Sequence, residues 1–165
     1  MRKYLIATSI FLIITTLFIG CNNIKTPTPR DMKEVVITLE RTACFGICPV
    51  YRLTIYGDGR VVYEGIRCVR IEGTRTATIS ENKIDELITE FRKIDFFSLK
   101  DSYEEHNATD MPSAFTSLII NGETKTIRHY HGDFSAPQRL TELENKIDQI
   151  VSSDQWTTLW PELGG

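Results

Sequence analysis

The stretch CFGICPVY, Cys44 to Tyr51, places two thiols four residues apart around Gly46, with Pro49 directly after the second. Three chemistries use such a pair. As metal ligands, Cys44 and Cys48 have the spacing of a zinc knuckle, but a closed zinc site takes four ligands and no second pair follows. Cys68 could be a third. As a redox couple, they need a reactive thiolate, which such pairs gain from a helix N-terminus or a nearby cation. Arg41 and Arg52 are close in sequence, yet Pro49 biases Cys48 to an extended backbone and PVYRLTIY leads into a strand. As a staple, the pair suits an exported chain, and Gly46 lets the backbone turn back on itself. Loop-closure entropy favours the rival Cys44–Cys68 bridge, at about 3.5 against about 2 kcal/mol. Proximity favours Cys44–Cys48, which is the expected pairing. Three cysteines follow Cys21, so Cys68 is left free and buried, or pairs between chains.

Other groups could carry chemistry. In HYH, His129 and His131 alternate along a strand and so point to one face. They could bind a metal with Asp110 or the cysteines; the plainer alternative is that His129, which shares its face with Ile127, is partly buried and hydrogen-bonded, while His131 begins a loop. Asp101, Glu104, Glu105 and Asp110 gather around His106 in one polar loop. They could hold a cation or act as acid and base, or simply be solvated. No nucleophile elbow, phosphate-binding loop or zinc-protease motif is present in the sequence. No catalytic residue, bound metal or cofactor is assigned from these patterns. The Asn107-Ala108-Thr109 sequon is read as chance.

The elements that must position these residues follow from periodicity. Glu34–Arg41 alternates Val35, Ile37 and Leu39 against Val36, Thr38 and Glu40, as a strand does. Val50–Tyr56 and Arg60–Gly65 form a hairpin around Gly57-Asp58-Gly59. Cys68–Ile79 reads as a further strand bent at Gly73. Ser80 caps a helix from Glu81 to Ile94, whose Ile84, Leu87, Ile88 and Phe91 recur at helical spacing. After the polar loop Lys100–Pro112, Ser113–Gly122 and Glu123–His131 make a second hairpin about Asn121-Gly122. Ser135, Pro137 and Gln138 read as a capping box for a second helix with Leu140, Leu143, Ile147, Ile150 and Val151 as its stripe. ENKIDELI (81–88) echoes ENKIDQIV (144–151), and each helix runs on to an aromatic end expected to dock through Phe97 and Trp156. The predicted architecture is α+β: an antiparallel sheet of about six strands, two amphipathic helices on one face, and two ββα-like halves. Trp160 is expected in the core, with a partner site as the alternative.

The first 20 residues have a basic start at Arg2 and Lys3, an apolar run from Tyr4 to Ile19, and Gly20 before Cys21. That is a secretory leader. LFIGC resembles a bacterial lipobox, with Phe18 where leucine is usual, which implies a lipid on Cys21. The alternative is an uncleaved anchor, although sixteen residues are short against the ~20 a span needs. Residues 21–33, with Pro27 and Pro29, form a stalk reaching up to ~35 Å, and 34–160 form a single domain. The expected location is the bacterial cell envelope, with the membrane as one partner through the lipid and an envelope protein as another. Beyond the leader the chain holds 17 basic and 22 acidic side chains, a net of −5, with no basic run. A nucleic-acid partner has no electrostatic footprint.

ITLERTACFGICPVYRLTIYGDGRVVYEG resembles the opening of a bacterial family of domains of unknown function, number 6438, whose members often occur in lipoproteins. The shared residues are Cys44, Phe45, Gly46, Cys48, Pro49, Tyr51, Gly57, Asp58, Gly59, Tyr63, Glu64 and Gly65. Thr109, Asp110 and Pro112, and then His129, Tyr130 and Gly132, are similar too. The likeness runs from about Val35 to Trp156. It supports the α+β fold and paired cysteines and implies no activity. The reading is therefore a non-enzymatic binding or structural module. Its binding surface would carry Phe45, Asp110, His129 and Tyr130. A thiol–disulfide protein using Cys44 and Cys48, or a metal-binding domain, is the alternative.

Overall fold

The computed structural model describes residues 34–159. The leader, Cys21, the stalk and Trp160 lie outside them. Seven strands build one sheet: β1 (Val36–Arg41), β2 (Val50–Tyr56), β3 (Arg60–Arg67), β4 (Gly73–Thr78), β5 (Ser102–Tyr103), β6 (Ser113–Ile120) and β7 (Glu123–Tyr130). Their spatial order is β4-β3-β2-β1-β6-β7-β5. Every pairing is antiparallel except β5 with β7. Two helices, α1 (Glu81–Lys93) and α2 (Gln138–Val151), cover it, and a short α3 (Asp154–Thr157) follows.

Alternation explains the layering. Ile37, Leu39, Leu53, Ile55, Val61, Tyr63, Leu118 and Ile127 are buried on one face. The stripes of α1 (Ile84, Leu87, Ile88, Phe91) and α2 (Leu140, Leu143, Ile147, Ile150) pack into the same core. The opposite face is polar and open, with Arg52 bonded to Glu40 at 2.7 Å. One covered face and one wet face is the normal state of an antiparallel sheet. The turn at Asn121-Gly122 has positive φ at both residues, 53° and 77°, which matches the twist of the strands it joins.

Several local expectations are corrected. The polar loop contains β5, a two-residue strand running parallel to β7, too short for alternation to register. Cys68 lies in a turn, with φ 56°, and β4 begins only at Gly73. Cys68 is free but half-buried rather than buried. Ser135 does not cap α2: the N-cap is Pro137, and the Ser135 N–H instead donates to Asp133 Oδ1 at 2.7 Å. Ser80 does precede α1, without a side-chain cap bond. Phe96, not Phe97, is the aromatic that docks behind α1; Phe97 is 37% exposed. The ENKID echo also falls on unlike places, since Glu81 opens α1 in solvent and Glu144 is fully buried midway along α2.

Candidate functional site

The chain turns between β1 and β2 through Thr42–Pro49, and a Cys44–Cys48 disulfide closes that turn. The bridge holds two Cα atoms 5.6 Å apart, within ordinary disulfide reach. The bonded pair lies between two strands, and no helix begins at either cysteine, so a helix dipole does not stabilise a thiolate there. The Phe45 N–H donates to the Asp110 carbonyl at 3.1 Å, and the Thr42 N–H to the Ser113 carbonyl at 2.9 Å. These bonds join the turn to the loop before β6. That loop is joined in turn to the one after β7, through Asn107 and Ala108 N–H groups on the Gly132 carbonyl and through Phe134 N–H on Asn107 Oδ1. Three loops thus form one end of the sheet. Phe45 and Ile47 are 87% and 78% exposed on it.

Reducing the Cys44–Cys48 bridge is expected to lower stability by about 2 kcal/mol, the entropy of so small a loop, without loss of the sheet. Urea unfolding of oxidised protein and a Cys44→Ser/Cys48→Ser variant measures this. Non-reducing peptide mapping after thiol trapping should find one uniform Cys44–Cys48 peptide and Cys68 as a thiol.

Under α2, one transverse row of the sheet is polar. Strand register sets Tyr103, His129, Ala114, Arg41, Tyr51 and Gly65 side by side across β5, β7, β6, β1, β2 and β3. α2 crosses above them and lowers two acids. The first is Asp148. It accepts from Arg41 Nε at 2.8 Å, Tyr51 Oη at 2.6 Å and Ser153 Oγ at 2.6 Å. Burial raises the Tyr51 hydroxyl pKa and the Asp148 charge raises it further, so Tyr51 stays a donor. Burial works against the Arg41 charge, but Asp148 outweighs it and holds the guanidinium above its ordinary value.

The second acid is Glu144, 0% exposed among the leucines and isoleucines of α2. Its Oε1 lies 2.9 Å from His129 Nδ1, and its Oε2 lies 2.9 Å from His131 Nε2. Burial pushes the Glu144 carboxyl up; hydrogen bonds from the two imidazoles outweigh it and hold it below the usual carboxylate range. The two rings stand 4.6 Å apart between centroids. The His129 side chain is buried; that of His131 is 18% exposed. Two imidazole nitrogens and a carboxylate oxygen all lie within 4.8 Å of one another, which is a ligand set a single ion could join.

The residues predicted for a binding surface are therefore divided. Phe45 is on the outside, tied by its backbone to exposed Asp110. His129 is inside, facing α2. Tyr130 points away from His129, its hydroxyl donating to the Ala108 carbonyl and accepting from the Met111 N–H. The histidine pair does converge on a carboxylate, but on Glu144 rather than Asp110. The signal for Glu144 is in the sequence: an acid at a stripe position, between Leu140 and Ile147.

One mostly antiparallel sheet, one helical layer and a disulfide-closed turn at one end of the sheet define the class. The family model of Domain of unknown function (DUF6438) matches residues 35–151, and the chain belongs to that family. No curated protein matches the chain.

Proposed function

We propose that this chain is a non-enzymatic binding module of the bacterial cell envelope, exported and held to a membrane by a lipid on Cys21. The basic, apolar leader before Cys21 and the proline-containing stalk support the tether. The observation that carries the binding role is the stapled turn, which keeps Phe45 and Ile47 almost wholly in water. Water penalises them by ~25 cal/mol per Å² of apolar surface. A cross-linked turn, bonded to its neighbour loop, cannot fold them away. Met111, next to the Asp110 that bonds this turn, adds a 43% exposed apolar side chain. Exposed apolar groups gathered on a rigid tip mark a contact surface more than scattered ones do.

The direction of β1 favours a protein partner. The chain enters the domain at Glu34, runs through β1, and reaches the turn after Arg41. Six strand residues span ~20 Å, so the tip is at the far end of β1 from Glu34.

Photo-crosslinking in intact cells tests this. A crosslinker at position 45, 47 or 111 should give one discrete protein adduct, and one at Thr76 on the exposed edge strand should not. Phe45→Ser/Ile47→Ser should abolish the adduct formed from position 111 and change stability by no more than about 0.5 kcal/mol. No adduct from any of the three positions overturns the binding role. An unmodified Cys21 in mass spectra of the mature chain overturns the tether.

A further inference from the structure

We propose that His129, His131 and Glu144 form a binding site for one divalent transition-metal ion, of the open three-ligand type, with zinc as the fitting ion. The donor set decides the class of ion. Two imidazole nitrogens and one carboxylate oxygen suit zinc and its first-row neighbours. Calcium takes six to eight oxygens and magnesium keeps an octahedral oxygen shell, and three donors of this kind provide neither.

The geometry is close to what such an ion needs. Tetrahedral zinc, with bonds of ~2.0–2.1 Å, separates its ligand atoms by about 3.3 Å. Here each imidazole nitrogen lies 2.9 Å from its own Glu144 oxygen, and the three ligand atoms lie within 4.8 Å of one another, so the short contacts widen by about 0.4 Å and the widest pair closes by up to about 1.5 Å around one ion. His131 follows the last residue of β7 and is the member best placed to adjust. The other two are rigidly held: His129 by strand pairing on both sides, Glu144 by the middle of α2. Such preorganisation on regular elements is what a metal site requires.

The protons balance. Each ring now needs one N–H directed at the carboxylate. On metal binding, the proton of His129 moves to Nε2 and that of His131 to Nδ1, leaving Nδ1 and Nε2 as donors of lone pairs. Glu144 contributes one negative charge. Asp133 is buried nearby, but its oxygens already accept the Glu105 and Ser135 N–H groups, so it adds negative potential rather than a ligand. The exposed edge of His131 gives the ion its path in and leaves room for water as the fourth ligand.

A purely structural role explains this trio poorly. A buried carboxylate on the apolar stripe of a helix costs desolvation, and an apolar side chain of similar size often serves stability as well or better. Pairing one such carboxylate with two converging imidazoles is the arrangement that ligation uses.

The test uses untagged, disulfide-bonded protein, with zinc as titrant. Calorimetry should show one zinc per chain at micromolar affinity or tighter, and a thermal midpoint raised by about 5 °C or more at saturation. Cobalt should give the visible absorption of a four-coordinate site. Glu144→Gln and His131→Asn should each weaken binding by about 100-fold or more, while His106→Asn, in the exposed loop, should leave it unchanged; circular dichroism checks that each variant is folded. No saturable zinc uptake by the wild-type chain overturns the proposal. So does uptake that survives both Glu144→Gln and His131→Asn, or uptake lost in His106→Asn.

Discussion

Asp148→Ala is expected to cost about 3 kcal/mol of folding stability, among the largest single effects in the domain. The carboxylate ties α2 to β1 through Arg41 and to β2 through Tyr51, and it bonds Ser153 at the helix exit. Arg41 and Asp148 are only 15% and 20% exposed, so solvent screens the pair little. Removing the acid leaves a mostly buried guanidinium without its charge partner and a buried phenol without its acceptor. Asp148→Asn keeps the shape and one acceptor oxygen but loses the charge, and about half the effect is expected. Tyr51→Phe removes one hydrogen bond, for about 1 kcal/mol. Equilibrium urea unfolding of the oxidised protein measures all three. The Tyr51→Phe/Asp148→Asn double variant should be less destabilised than the two singles combined, because they share one contact. A loss below 1 kcal/mol for Asp148→Ala would mean that α2 is held by its apolar stripe alone.

Gly65→Ala is the second. Gly65 lies on β3 in the polar row, opposite Tyr51 and Gly73. A Cβ built there falls 2.1 Å from the Ile71 carbonyl oxygen and 2.6 Å from Tyr63 Oη. Neither neighbour is free to yield. The Ile71 carbonyl accepts from Tyr63 Oη at 3.0 Å, and the Ile71 N–H donates to the Trp156 carbonyl at 3.0 Å. The Trp156 ring in turn packs 4.9 Å from that of Tyr63. One methyl therefore pushes apart the β3–β4 turn, a buried tyrosine and the C-terminal helix. The expected loss is about 3 kcal/mol, with a red-shifted tryptophan emission as Trp156 leaves its place. Gly73→Ala is the control. Gly73 has φ 82° and open space around its Cβ position, so only backbone strain of about 1 kcal/mol is expected. Equal losses in the two variants would show that strand conformation, not the close approach, governs Gly65.

The glycine thus gives a physical reason for one motif position. Tyr63-Glu64-Gly65 pairs a buried phenol with the backbone space that its hydroxyl and the returning chain occupy. Cys44–Cys48 likewise accounts for the opening motif, as the closure of the turn between β1 and β2. The late His129-Tyr130 pair serves two faces of one strand, one ring to Glu144 and one to the Ala108–Met111 loop.

Elements whose stability comes from local pattern were legible in the sequence. Alternation marked β1, β2, β3, β6 and β7, because a half-buried strand must show two faces. Helical spacing marked α1 and α2, Asn121-Gly122 marked a hairpin turn, and four-residue proximity marked the disulfide. What the tertiary structure decided was every contact between polar groups distant in the chain. Asp148 meets Arg41 across 107 positions and Tyr51 across 97. Glu144 meets His129 only because α2 crosses above β7. β5 has two residues, below any period, and exists because β7 offers it an edge. Periodicity tells which side of an element is buried; it carries no information on which element lies opposite, and polar partners are chosen by that crossing.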